Sequence, residues 1–190
     1  MPQNDTEIFL AYWRGLKGTD AQAPARARFD PAALRTLVPR LMMLTARDGF
    51  RFRLAGEVIE QMHGLGLKTR DFATLFSAEH QAAVTAALTA ARYREQALRL
   101  SVSAMISHET IEIDLVLAPL RNAEGLTDRF VGLYAPQGAL PDAFQDERLF
   151  EGNRAIAGRL TLKNAKLETE SAVEKRSHLR LIVLHGRQVA

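Results

Sequence analysis

Apolar residues change their spacing along this chain, and each change marks an element. Between positions 5 and 17, Ile8, Phe9, Tyr12, Trp13 and Leu16 recur at helical spacing and form one aromatic-rich stripe. Asn4 or Asp5 caps the start and Gly18 suits the end, which predicts an amphipathic helix. Such a stripe must be covered, by a sheet or by a second copy of the chain, and it is assigned here to a homodimer interface. Residues 18–30, rich in Ala, Gly and Pro, read as a linker. Asp30-Pro31 then supplies an N-cap followed by proline at the first helical position, and the short helix it opens is expected to end before Pro39.

From Leu41 the period becomes two. Leu41 to Ala46 is a strand, Asp48-Gly49 signals a type I′ hairpin turn, and Phe50, Phe52 and Leu54 alternate with Arg51 and Arg53. A two-turn helix follows over 56–63, with Val58, Ile59 and Met62 on one side and Gly64 and Gly66 behind it. Leu67 to Phe76 connects it to a longer helix, from Ala78 to about Ala91, which Ser77 caps and whose alanines (82, 83, 86, 87, 90) suit close approach to a sheet. Alternation then returns in Leu98–Ile106, Ile111–Leu117 and Phe130–Tyr134, separated by turns at 107–109 and 122–125. Arg51, Arg53 and Arg99 are expected to meet Glu112 and Asp114 across strands on a polar outer face. The expected class is α+β: a five-stranded antiparallel sheet with helices inserted between strands 2 and 3 and gathered on one face, behind an N-terminal amphipathic helix.

The domain is expected over 1–139, with the helix 1–18 and its linker included. Residues 140–190 read as a charged tail, partly disordered or strand-forming. The tail holds one alternating run, Arg159–Lys163, and an apolar run, Leu179–Leu184, flanked by His178 and His185.

Composition narrows the chemistry. The chain has 190 residues and no cysteine, which excludes disulfides, thiolate metal sites and a cysteine nucleophile. No stretch approaches the apolar length of a membrane span and the start lacks a signal-peptide pattern, so the expected location is the cytoplasm. The formal net charge of +3 is a mild excess, densest at Arg26/Arg28 and Lys175/Arg176/Arg180. Nucleic-acid binding through that basic tail is an alternative reading.

Phe50-Arg51-Phe52-Arg53-Leu54-Ala55-Gly56, continuing through Glu60 and His63-Gly64 to Arg70-Asp71-Phe72, resembles the signature of a bacterial PAS-like family of stand-alone proteins. Tyr12-Trp13-Arg14-Gly15, Phe29-Asp30-Pro31-Ala32-Ala33-Leu34 and Val38-Pro39-Arg40 resemble it too, so the likeness covers roughly residues 8–136. Two positions depart from the family's tendency: Glu57 stands where it has threonine, and Thr69 where it has glycine just before Arg-Asp-Phe. The resemblance implies a PAS fold and a broad role in sensing or mediating interactions in bacterial signalling. It supplies no catalytic residues. The absence of catalytic motifs and the apolar inward strand faces argue against an enzyme.

Phe52, Met62, Phe72, Phe76 and Met105 are placed to surround the space between helices and sheet, with His63 as a polar contact. That set suits either a ligand pocket or a packed core. No cofactor is expected, although the resemblance admits haem held by a histidine of the helical region. Gly64-Leu65-Gly66-Leu67-Lys68-Thr69 misses the glycine spacing of a phosphate loop, and His108-Glu109 lacks the second histidine of a zinc-protease helix. Arg47 and Arg51, like Arg176 and Arg180, show the four-residue spacing found in cyclic-dinucleotide loops, but the companion element is missing. The favoured function is a non-enzymatic regulatory domain that binds a small ligand or a signalling partner. The alternative is a cavity enzyme using acid–base chemistry, which would need a buried, pKa-shifted carboxylate or histidine.

Overall fold

The computed structural model describes residues 5–18, 21–106, 109–138 and 157–168. Its helices are α1 (Asp5–Lys17), α2 (Glu57–His63) and α3 (Ala78–Arg94), joined by 3-10 segments at Arg26–Arg28, Pro31–Arg40 and Phe72–Leu75. Its strands are β1 (Leu41–Thr45), β2 (Phe52–Ala55), β3 (Ala97–Ile106), β4 (Glu109–Arg121), β5 (Thr127–Pro136) and β6 (Thr161–Glu168). All pairings are antiparallel, in the order β2-β1-β5-β4-β3-β6. The α+β class and the helices inserted between β2 and β3 are as expected. The sheet has six strands rather than five, because residues of the tail pair along the outer edge of β3. The apolar run 179–184, its flanking histidines, the basic cluster 175–180 and the turn residues 107–108 lie outside the described residues.

The sheet is covered on both faces. On the inner face, α2, α3 and the Phe72–Leu75 turn pack on Met42, Leu44, Phe52, Leu98, Leu100, Leu115, Leu117, Phe130 and Tyr134. On the outer face, Phe9, Leu10 and Trp13 of α1, with Leu34 and Leu37, cover Val116, Ala118, Leu120, Val131, Leu133 and Ala135. This double covering explains why β4 is almost continuously apolar from Ile113 to Leu120 while β3 alternates. It also corrects the assignment of the helical stripe. Phe9 and Trp13 are buried inside the chain, and the Trp13 indole N–H donates to the Pro119 carbonyl at 3.0 Å. Neither can face a second copy without leaving the sheet. Ile8, Tyr12 and Leu16 are half-buried, and Tyr12 already packs edge-on against Phe29 and bonds the Asp30 backbone. Burial of each large apolar side chain contributes roughly 1.5–3 kcal/mol before entropy costs, so α1 is anchored by its own sheet.

Local expectations change where tertiary contacts take over. Asp48-Gly49 does not form a two-residue turn: Gly49 takes φ +91° and Asp48 stays at negative φ. The Ala46 amide still donates to the Asp128 carbonyl, and Phe50 turns inward against Phe130, so the connection from β1 to β2 needs more residues. The segment from Pro31 runs as 3-10 helix through Pro39 to Arg40, with a kink at Leu34, and Asp30 caps it by accepting from the Ala32 amide. In α3 the buried stripe is Val84, Leu88 and Ala91, while Ala82, Ala83 and Ala86 face solvent. Of the expected cross-strand pairs, Arg99 does bond Asp114. Arg51 and Arg53 cannot, because β1 and β5 lie between β2 and β4.

Candidate functional site

α2 begins after Gly56, whose extended backbone passes so close to Pro39 that an added Cβ would overlap the Pro39 carbonyl. The helix presents Ile59, Met62 and His63 to the core, a spacing of three and four that puts them on one face. It ends at Gly64, which takes the left-handed conformation and returns its N–H to the carbonyls of Glu60 and Gln61. His63 is therefore held at the last turn, pointing at the sheet. Opposite it, alternation along β5 sends Phe130, Gly132 and Tyr134 inward. A Cβ at Gly132 would lie 2.7 Å from Met42 Cε, so the glycine makes room for that side chain.

His63 Nε2 and the Tyr134 hydroxyl share a hydrogen bond of 2.9 Å, with the rings edge-to-face at 5.9 Å and 88°. His63 is 6% exposed and Tyr134 fully buried. Burial lowers the His63 pKa from 6.5 to about 4 and raises that of the Tyr134 phenol, so both groups are neutral at pH 7. Around them lie Phe52, Met62, Phe72 and Phe76, all buried; Phe72 stacks at a tilt on Phe52 (5.7 Å) and edge-on with Phe76 (5.5 Å).

Five of the residues singled out from sequence thus converge, and Met105 does not. It lies on the opposite face of β3 and is 60% exposed, as the β3 alternation itself requires. Sequence reading missed Tyr134, whose signal was a phenol at an inward position of the apolar stretch 130–135. Among the described residues these converging side chains are buried and the three phenylalanines are in ring contact. Grooves of about 860, 450 and 250 Å³ lie elsewhere: over the outer side of α3, beside Asp114, and between Val38 and Leu54. Haem does not fit here as the residues stand, because His63 Nε2 is held by Tyr134 and a porphyrin would have to displace it. Among the described residues, no group of three or more His, Asp or Glu is placed to hold a metal ion, and no helix is long and apolar enough to cross a membrane.

A second missed feature is a strap, residues 157–160, that closes this core before β6. The Ala157 amide donates to the Met62 carbonyl at 2.6 Å, Gly158 to Met105 at 2.9 Å, and Leu160 to Leu75 at 2.9 Å. The Ser77 amide donates back to Leu160, and the Arg159 guanidinium to the carbonyls of Thr74 and Phe76. Ala157 and Leu160 are buried members of the inner core. No apolar period marks so short a segment.

A family model described as PAS domain matches residues 1–135. The chain belongs to the PAS domain family, a class of sensory domain; α1 lies within the matched residues and β6 beyond them. Among solved structures it is similar to the dark state of the blue-light photoreceptor Aureochrome1 LOV (16% identity, TM-score 0.45, covering 60% of this chain and 85% of that one). It is also similar to a Rhodobacter sphaeroides LOV protein (15%, 0.44, 62% and 73%). A third similar structure is an RNA-binding light-oxygen-voltage receptor (14%, 0.43, 62% and 34%), of which this chain spans about a third. Comparison with curated proteins finds no match.

Proposed function

We propose that this chain is a non-enzymatic PAS regulatory domain whose input point is the His63–Tyr134 pair and whose output is the strap 157–160 with the strand that follows it. The observation that carries the reading is the bond from the Ala157 amide to the Met62 carbonyl, one residue from His63. A ligand that takes the imidazole must displace the Tyr134 hydroxyl and the surrounding rings. That repositions the last turn of α2, on which the strap is hung. A signalling partner then reads a docked or a released strap. His63 is the buried, pKa-shifted histidine that the acid–base alternative requires, but with its pKa lowered to about 4 it is a weak base at pH 7 and its Nε2 is already engaged by the Tyr134 hydroxyl, which favours regulation over acid–base catalysis.

Trypsin tests the coupling, because the Arg159 guanidinium is tied to backbone carbonyls while the strap is docked. Tyr134→Phe keeps the ring and removes the hydroxyl. Loss of about one buried hydrogen bond's worth of support should speed cleavage after Arg159 roughly tenfold in native conditions. Cleavage at the wild-type rate would show that the pair and the strap are not coupled.

A further inference from the structure

At the end of the sheet away from the strap, three arginines from separate elements meet around one buried carboxylate, with a fourth, Arg53, nearby. Arg26 comes from the 3-10 turn Arg26–Arg28, Arg47 from the β1–β2 connection, Arg53 from β2 and Arg129 from β5. Nitrogens of Arg26, Arg47 and Arg129 lie 3.5, 3.4 and 3.4 Å from Asp128 Oδ2. Arg53 is near enough to act on Arg129 electrostatically. Asp128 is 2% exposed, and neither of its oxygens accepts a hydrogen bond among the described residues. The guanidiniums are attracted to the carboxylate without donating to it. Among the described residues, Arg26, Arg47 and Arg53 donate no hydrogen bond to the protein, so their N–H forks stay open to another acceptor.

The charge balance points the same way. Three guanidiniums face one carboxylate and a fourth acts on Arg129 from nearby, together a formal excess of three positive charges, as large as that of the whole chain (+3). Burial, and then the repulsion of Arg26, Arg53 and Arg47, disfavour the charged form of Arg129, while Asp128 alone opposes them. A second anion relieves that repulsion. A carboxylate brings one negative charge; a phosphate monoester brings two and several oxygens, each able to accept from a planar fork. The side chains of Arg26 and Arg47 are 45% and 62% exposed, so they reach solvent and can close on such a group.

We propose that Arg26, Arg47, Arg53 and Arg129 form a binding site for a phosphate-monoester dianion, with Asp128 as the buried counter-charge that holds the arginines together. The site is separate from the His63–Tyr134 core and stands or falls independently of the regulatory reading.

The probe is inorganic phosphate, titrated into the full chain by calorimetry and by thermal unfolding, with chloride at matched ionic strength as reference. The wild type should bind phosphate saturably and melt higher in it than in chloride. Removing each arginine should weaken binding about tenfold, so Arg26→Ala with Arg47→Ala should weaken it about a hundredfold. The control removes the same charge elsewhere, at exposed Arg35 and Arg94 (both to Ala), and should change affinity by less than about twofold. Circular dichroism confirms that each variant is folded. O-phosphoserine and a nucleoside monophosphate, titrated next, separate a phosphorylated protein from a nucleotide as the source; tighter binding of either than of phosphate supports the site. Identical behaviour of the wild type in phosphate and chloride overturns the proposal. So does equal loss in the two double variants, which would reduce the effect to net charge.

Discussion

Replacing His63 by glutamine isolates one titration inside the core. Glutamine keeps a hydrogen-bonding side chain near Tyr134 and carries no proton of its own to gain. Unfolded His63 takes up a proton near pH 6.5, whereas burial lowers the folded pKa to about 4. Acid therefore favours the unfolded state. The wild type has its full stability above about pH 6.5, loses it as pH falls through the interval, and levels off below about pH 4. The gap between the two values corresponds to about 3 kcal/mol at ~1.36 kcal/mol per pH unit, and the ring is 6% exposed, so solvent screening takes little from it. Urea unfolding of wild type and His63→Gln between pH 7 and pH 4 reads this directly, because carboxylate titrations common to both proteins cancel in the difference. The stability advantage of the wild type should shrink by about 3 kcal/mol across the series. A difference that stays constant with pH would falsify the buried, neutral imidazole and the input point built on it.

Other perturbations test the packing. Gly56→Ala forces a Cβ onto the Pro39 carbonyl, with Val38 O at 2.9 Å behind it, and should lower stability by about 3 kcal/mol or more in urea. Gly66→Ala, where nothing lies within 4 Å, should change it by less than about 1 kcal/mol. Thr69 takes φ +69°, unfavourable for a β-branched residue, so Thr69→Gly should raise the unfolding midpoint by up to about 1 kcal/mol in stability, net of the added chain entropy. Trp13→Ala empties part of the outer core and orphans the Pro119 carbonyl; it should cost about 3–5 kcal/mol in urea unfolding.

Period, with caps and turn residues, placed α1, α2 and the five strands of the PAS sheet, because each buries a face that sequence marks plainly. α3 was placed as a helix, but on the wrong face, since its buried stripe is Val84, Leu88 and Ala91 and not the alanines 82, 83 and 86. The Phe50–Gly56 signature also has a local cause. The Phe72 amide donates to the Phe50 carbonyl and the Phe52 amide to that of Arg70, while Asp71 caps the turn that follows and Gly56 lets Pro39 approach. The family's glycine at position 69 falls at a left-handed backbone that threonine here must adopt. What covers a face is less legible than the face. The α1 stripe announced burial, and the matching surface was present in the near-continuous apolar run of β4, but neither states that the two belong together. β6 carried little signal because most of its residues are exposed, with Lys163 and Lys166 among them, as suits an edge strand. The strap works through main-chain bonds, which any sequence can make. The arginine cluster joins residues far apart in sequence around one aspartate, and only the fold brings them together.

Amide hydrogen exchange of Ala157 and Leu160, measured against the Leu115 and Leu117 amides of β4 in wild type and Tyr134→Phe, tests the central claim most directly. If the buried pair supports the strap, the variant should exchange at Ala157 and Leu160 roughly tenfold faster, with a smaller change in β4. Unchanged protection of the strap, or an equal change at all four amides, would contradict the coupling between the His63–Tyr134 pair and the C-terminal segment.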